Sequence, residues 1–305
     1  MIRYTLARLL QMIPTLLGIA AFTFILVRLT GSPEDVLLPP DAPESEIEAF
    51  RVKYGFDRSL PEQFFFFIKN ALVLDFGDSL RYQVPVIDLL ASRIGPTLQL
   101  TVVAMGIALL VALPLGFWAG LRRGGLVDRV GRTIAFTGQS VPTFYLGILL
   151  ILFFGVWLQS VDTVGPASWD RIILPAVTLA VGMIPLVLRV ARGGVLDVTS
   201  QDYIRTARSK GISERNLIQH HIVKNAAIPI VTIVGLQLGA ALSGAVITET
   251  VFSWPGIGRL LVEAISTRDY PVVQAITVLA AFSYVIVNFL VDIAYARLDP
   301  RIANS

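Results

Sequence analysis

The chain has 305 residues, 54% of them hydrophobic and 15% charged, with a formal charge of +3 and no cysteine. Its length admits one or two soluble domains, but this apolar fraction, with a mean hydropathy of +0.70, puts it in the integral membrane class. The lack of cysteine excludes disulfide frameworks, thiolate metal sites and cysteine nucleophiles.

A bilayer core of about 30 Å takes roughly 20 apolar residues per helix. Six such runs predict spans at 9–27, 97–121, 134–158, 172–190, 226–252 and 272–296 within a single domain, 1–305. The first run lies behind Arg3 and Arg8, but Arg28 follows it and no small-residue cleavage pattern precedes "GSPED". It reads as an uncleaved span, not a secretory signal.

Residues 29–96 then form a long connection with helices of its own. "PESEIEAFRVKYG" puts Ile47, Phe50 and Tyr54 on one helical face and stops at Gly55. "SLPE" opens a second helix, with Ser59 and Glu62 at capping-box spacing and Pro61 where a missing N–H costs nothing. The following "FFFFIKNALVL" is too short to span and is interrupted by Lys69, which suits the membrane surface or packing on span ends. "DFGDS" contains a kinase tripeptide with no phosphate loop or catalytic loop beside it and is read as coincidence.

Basic residues in short connections set the orientation. Arg3 and Arg8, then Arg122, Arg123, Arg129 and Arg132, then the 191–225 connection, then Arg297 and Arg301 all fall on one side. The short connections on the other side hold only Arg171, Arg259 and Arg268. Both termini are therefore expected in the cytoplasm, with 29–96 outside.

The span interiors carry almost no charge, against the ion-coupling carboxylates of secondary transporters. Asp292 is expected to pair at the interface with Arg297. Glu249 precedes "TVFSWPGIGRLL", an aromatic and glycine-rich exit from the membrane. Either a turn-capping role or substrate contact fits it, and Glu249, Phe252, Trp254 and Pro255, with Gln139 and Pro142, are the candidates for the translocation path or outer gate. Pro114, Pro142, Pro175 and Pro185 can kink the spans they interrupt or flank. Gly235, Gly239 and Ser243, four residues apart, offer a face for close helix approach, within the chain or to a partner.

No phosphate loop, H-E-x-x-H zinc motif or G-x-S-x-G elbow is present. The two histidines, His220 and His221, are adjacent and diverge on a helix, so they are expected at a surface and not on a metal. They fall in "YIRTARSKGISERNLIQHHIVKNAAIP", a polar stretch in which Thr199 or Ser200 is expected to cap a short helix ending at Gly211, and Ser213 a second helix with Leu217, Ile218, His221 and Ile222 on one face. A DNA-binding helix-turn-helix has the same local logic, but this one lacks further helices to make a domain and is tied at both ends to spans. Nucleic acid is not an expected partner.

That stretch resembles the cytoplasmic EAA-type loop of ABC importer permeases, in which a short helix docks on an ATPase subunit. "RTARSKG" supplies Arg205, Thr206, Ala207 and Gly211, with the glutamate and first alanine of the triplet replaced and Lys224 where many relatives have proline. "YIRTARSKG" is the form typical of the dipeptide, oligopeptide and nickel branch. "RLLQMIPTLLGIAAFTFILVRLTGSP" and "ETVFSWPGIGRLLVEAISTRDYPVVQ" resemble its B-type permease.

The resemblance implies an all-α polytopic fold of the type I ABC importer permease, with six transmembrane helices and both termini cytoplasmic, in a bacterial inner membrane. It implies a non-catalytic subunit forming half of the path for small peptides. Its partners would be a C-type permease, two cytoplasmic ATPases that bind ATP and Mg, an extracytoplasmic binding protein and the lipid bilayer, with no cofactor on this chain. ATPase coupling is expected at Tyr203, Ile204, Arg205, Thr206, Ala207, Arg208, Lys210, Gly211, Glu214 and Arg215. Alternatives are the same architecture carrying nickel chelates, opines or other amino-acid conjugates, a stand-alone secondary transporter or channel, and a membrane scaffold.

Overall fold

The computed structural model describes residues 2–162 and 167–298, and among these the regular structure is helical, joined by turns and loops, with a single antiparallel bridge between Asp78 and Pro85. The expectations placed on the side chains of Arg3, Arg8, Ser243, Asp292 and Arg297, and on Arg301, lie outside the described residues.

Helix α1 (Ile2–Leu29) leads to α2 (Glu34–Leu37), α3 (Glu44–Tyr54), α4 (Leu60–Ala71) and the long α5 (Val86–Leu121). Next come α6 (Leu126–Ser140) and α7 (Thr143–Leu150), the latter running into a π-helical segment at Ile151–Trp157. After α8 (Ile173–Thr199) come α9 (Asp202–Ser209) and α10 (Glu214–Leu217), a π-helical turn at Ile218–Ile222, α11 (Val223–Val251), α12 (Ile257–Ser266) and α13 (Tyr270–Leu298). Among the described residues five helices are long and apolar enough to cross a bilayer; α6 and α7 with its π segment make a sixth only as one span bent by 94°. The bend falls inside the expected run 134–158. Pro142 has no N–H and disfavours helical geometry before it, and Val141 is extended at φ −92°, ψ 119°.

Contacts group the helices into two units: Leu98–Trp254 with the chain from Ile286 onward, and Ile2–Thr97 with Pro255–Val285. In the first, α8 packs against α11, α6 and α7. Its core includes Leu100, Ala104, Ala108 and Ala112, fully buried at four-residue spacing on α5, together with Ala176, Ala180, Val187 and Leu188 of α8. Gly116 and Gly120 continue that row. A Cβ at Gly116 would meet the Leu188 carbonyl oxygen at 2.7 Å, and one at Gly120 would meet Val195 Cβ at 2.7 Å. Lipid offers no hydrophobic drive for helix association, so this close approach of small residues supplies the cohesion. Gly235 likewise lies directly against Val291 of α13, so the first member of the expected small-residue face serves a helix of the same chain.

The second unit has its own core around Val86, Leu90, Leu260, Val272 and Ile276. The helices expected in the long connection form with the expected ends. Gly55 closes α3 at φ +72°, and Glu62 accepts hydrogen bonds from the Ser59 backbone N–H (3.1 Å) and hydroxyl (2.9 Å) at the start of α4. Arg51 donates to Glu34 at 2.7 Å, and that bond raises the guanidinium above its ordinary pKa. Phe64 and Phe67 of α4 turn inward onto Phe24, with ring centroids 5.2 and 6.3 Å away, while Phe65 stays 64% exposed.

Candidate functional site

The polar stretch forms a hairpin anchored to the first unit. Gln201 is the N-cap residue of α9; the expected caps, Thr199 and Ser200, donate back to the Leu196 and Asp197 carbonyls of α8 at 3.0 and 2.8 Å. A hydroxyl in a last helical turn finds such a carbonyl before it can reach the next helix. Gly211 takes φ +77°, and the turn closes as its N–H bonds Arg208 O and the Ile212 N–H bonds Ala207 O. Ser213 then caps α10, accepting the Asn216 N–H at 3.4 Å, as its position after the glycine predicts.

The two faces of α9 differ sharply. Ile204 and Ala207, three residues apart, are buried in an apolar cluster with Val195, Leu217, Ile222 and Ala226. Tyr203, Arg205, Thr206, Arg208 and Lys210 are exposed, as are Gly211, Glu214 and Arg215 beyond it. Arg208 makes a two-point contact with Glu214 at 2.7 and 3.4 Å, fixing the hairpin's width, and the Tyr203 hydroxyl accepts from Asn225 at 3.3 Å. Arg205 lies 3.5 Å from Asp202 in an exposed pair worth little to stability. Among the described residues, its chain neighbours aside, nothing lies within 4 Å of a Cβ built at Gly211, so its glycine answers to backbone conformation and leaves an open approach.

Two residues separate α8 from α9, and from Glu214 the backbone stays helical through the π turn into α11. A push on the α9 face therefore acts on two long helices through short joints. His220 is exposed and His221 half-buried, and among the described residues no group of three or more acidic or histidine side chains could hold a metal.

A second anchor was hidden in the sequence. Asp128, at the start of α6, is 1% exposed and accepts from Arg192 Nε at 2.6 Å, Arg192 Nη2 at 3.3 Å and the Gly124 N–H at 2.9 Å. Arg132 Nε stands 3.6 Å away. In the sequence these arginines serve only as orientation signals, because a separation of 64 positions conceals the pairing of Asp128 with Arg192. Removing one partner of a buried pair strands the other. Asp128→Ala is expected to destabilise the subunit by about 3 kcal/mol, with Asp128→Ala/Arg192→Ala costing less than the sum of the single changes in a double-mutant thermal-unfolding cycle; strict additivity would refute the pairing.

The six residues expected at the path or gate occupy different settings. Glu249 is fully buried, Phe252 and Trp254 nearly so, and the Trp254 N–H donates to the Glu249 carbonyl at 2.8 Å. Phe252 and Val251 press on Gly147 of α7, where a Cβ would meet them at 3.1 and 3.2 Å. Pro255 is half-buried in the second unit. Gln139 and Pro142 are exposed at the bend, where Gln139 accepts from Arg189 at 2.7 Å.

Comparison with known proteins follows the same outline. The family profile described as "binding-protein-dependent transport system inner membrane component" matches residues 112–304. The glutathione transport system permease protein GsiC of Salmonella typhi is 43% identical over 303 residues, and that of Escherichia coli K12 42%, each alignment covering 99% of both chains. Among solved structures, a MetNI methionine ABC transporter chain in an inward-facing conformation aligns with a TM-score of 0.57 at 18% identity, over 69% of this chain and 96% of that one. An amino acid ABC transporter solved with histidines gives 0.56 at 18%, over 69% and 94%. At such identity these two show the shared fold.

Proposed function

The chain belongs to the family of binding-protein-dependent transport system inner membrane components and is a permease subunit of an ABC importer; on that premise we propose that α9 is the coupling element through which partner ATPases drive it. The observation that carries this is the division of α9 into a buried edge, Ile204 and Ala207, and an exposed polar face on a hairpin joined to both α8 and α11. Such a helix receives force from outside without coming loose from the helices it must move.

In this reading Arg205, Arg208, Lys210 and Arg215 make polar contacts to the ATPase, Tyr203 and Thr206 line the contact, and Glu214 holds Arg208 in place. ATP and Mg bind on the two ATPases, which carry out the hydrolysis. A C-type permease supplies the other half of the path, and an extracytoplasmic binding protein delivers the cargo. Their cycle rocks the permeases between outward-open and inward-open states. The excess of arginine around α9 supports a cytoplasmic position for it and for both termini, in a bacterial inner membrane. Gln139 and Pro142, exposed at the bend, are the candidates to face the path, and buried Glu249, Phe252 and Trp254, with half-buried Pro255, to hold the outer exit turn.

Small peptides are the cargo class, with glutathione the first candidate because relatives matching end to end are named for it. Uptake of labelled glutathione by vesicles carrying the whole importer tests this, and preference for a nickel chelate or opine over peptides would reject it. The coupling assignment has a direct test because the chain contains no cysteine. A single cysteine at Thr206 or Lys210 is expected to cross-link to cysteines in the ATPase surface, in a pattern that changes with ATP, while one at buried Ile204 is not. Cross-links from the exposed α4 position Phe65 but none from α9 would overturn it.

A further inference from the structure

The second unit contains a cavity of about 380 Å³ that neither the coupling element nor the candidate path uses. Its volume falls in the range of roughly 300–1,000 Å³ typical of small-molecule sites. Its walls are aromatic, with Phe24, Phe56, Phe66 and Phe67 among them. Three cations line it, Arg28, Lys53 and Arg58, together with two carboxylates, Asp75 and Asp78. Among the described residues none of these five groups forms an ion pair with another. The cations rest on rings: Arg28 lies 3.4 Å from the Phe24 centroid, Arg58 4.6 Å from Phe66 and Lys53 4.8 Å from Tyr54.

Charges of both signs around one cavity, held apart, are complementary to a ligand carrying both signs. Gln274 adds a second and independent sign: it lines the same cavity, is 7% exposed, and its Nε2 has no hydrogen-bond acceptor. A buried amide donor without a partner is unfavourable, and an acceptor on a ligand that reaches it would relieve that cost.

The neighbouring surface indicates where such a ligand comes from. Beyond the inward-turned Phe64 and Phe67, Phe65, Leu72, Val73 and Leu74 are exposed, an apolar edge suited to lie in a membrane interface. Phe24 and Arg28 belong to the span-length helix α1, so the cavity is lined in part by a helix long and apolar enough to cross a bilayer. We propose that it binds the headgroup of a zwitterionic aminophospholipid from the adjacent leaflet, with the phosphate held by Arg28, Lys53, Arg58 and Gln274 Nε2 and the ammonium by Asp75 and Asp78. Guanidinium groups suit phosphate oxygens, and basic pockets beside membrane helices select headgroups in this way. The lipid ties the long connection to the bilayer and fills a polar cavity at the membrane surface.

Native mass spectrometry of the full-length chain, delipidated in detergent and titrated with defined lipids, tests the assignment. Phosphatidylethanolamine is expected to bind at least ~10-fold more tightly than phosphatidylglycerol, which lacks the cation, or phosphatidylcholine, whose methyl groups block hydrogen bonds to the carboxylates. Arg58→Ala and Gln274→Leu should each weaken it by about tenfold. Gln274→Leu removes the unpartnered donor, so thermal stability without lipid should hold or rise while lipid binding falls, a split that a merely structural residue would not give. Equal binding of the three lipids, or unchanged binding by both variants, overturns the proposal. Soluble glycerophosphoethanolamine or a zwitterionic dipeptide binding as tightly as the lipid would show a site for a soluble solute instead and likewise overturn it.

Discussion

Ile204→Ala is expected to cut ATP-driven uptake by more than about tenfold while leaving the subunit inserted and its ATPases able to hydrolyse ATP. The expectation rests on how little holds α9. At eight residues it is too short to be a stable helix alone, and only Ile204 and Ala207 among its residues are buried. Truncating a fully buried isoleucine costs about 2–5 kcal/mol, and the lower figure already shifts a docked-to-undocked ratio by roughly 30-fold. The cost falls on attachment of the hairpin to Val195, Leu217 and Ala226, not on the helices that cross the membrane. Proteoliposomes report both quantities, uptake per ATP and ATP hydrolysis itself. Ile204→Val, which removes a single methylene, should keep most of the coupled uptake. Gly211→Ala should be mild, because space surrounds that position and the strain of φ +77° costs about 1–2 kcal/mol locally. Full coupled uptake by Ile204→Ala would remove α9 from the force path.

Local chemistry made much of this legible. Gly55, the Ser59–Glu62 pair, Gly211 and Ser213 each act within a few residues of the backbone they terminate or cap, so their spacing alone places the ends of α3, α4, α9 and α10. Apolar runs of bilayer length marked the long helices for the same reason. The bend at Val141–Pro142 was only partly visible: a proline announces a weak point, but whether a helix kinks gently or turns by 94° depends on what packs on either side. The row of Ala and Gly on α5 is periodic and was readable in principle. Small residues are common in membrane helices and carry little signal by themselves, and only the near contact of Gly116 and Gly120 with α8 gives them a task. Asp128 with Arg192 escaped altogether, since nothing local distinguishes a carboxylate that will be buried from one that will face water.

The segment 268–270 shows the same limit at greater range. "ISTRDYP" lies within the stretch 249–274 that resembles the B-type permease, and the structure supplies physical reasons for Arg268, Asp269 and Tyr270. Arg268 donates to the Ser32 carbonyl and to Asp35, both at 3.0 Å, and lies so close to Gly31 that a Cβ there would meet its guanidinium at 2.7 Å. The Tyr270 hydroxyl donates to the Gly31 carbonyl. Asp269, 1% exposed, accepts from the Ser79 hydroxyl at 2.5 Å and from the Leu80 and Arg81 backbone N–H groups at 3.2 and 3.3 Å. Ser79 in turn accepts from the Tyr82 N–H at 2.9 Å, so a single carboxylate orders the whole turn ahead of α5.

Asp269→Ala is therefore expected to be among the most damaging single changes outside the proposed coupling helix. It leaves two donors and a hydroxyl without their acceptor, at about 1–3 kcal/mol for each buried group, for a loss of at least about 3 kcal/mol in the second unit. Asp269→Asn keeps an acceptor oxygen but turns an amide N–H₂ toward donors, and should fall between Ala and wild type. Ser79→Ala removes two bonds, the one donated to Asp269 and the one accepted from the Tyr82 N–H, and should cost about 2 kcal/mol. Thermal unfolding of the purified chain ranks the three. Trypsin reads the cause separately, because Arg81 sits in the turn that Asp269 holds: cleavage after Arg81 should accelerate in the order Ser79→Ala, Asp269→Asn, Asp269→Ala. An Asp269→Ala chain that unfolds early yet protects Arg81 as the wild type does would mean that the carboxylate stabilises something other than this turn.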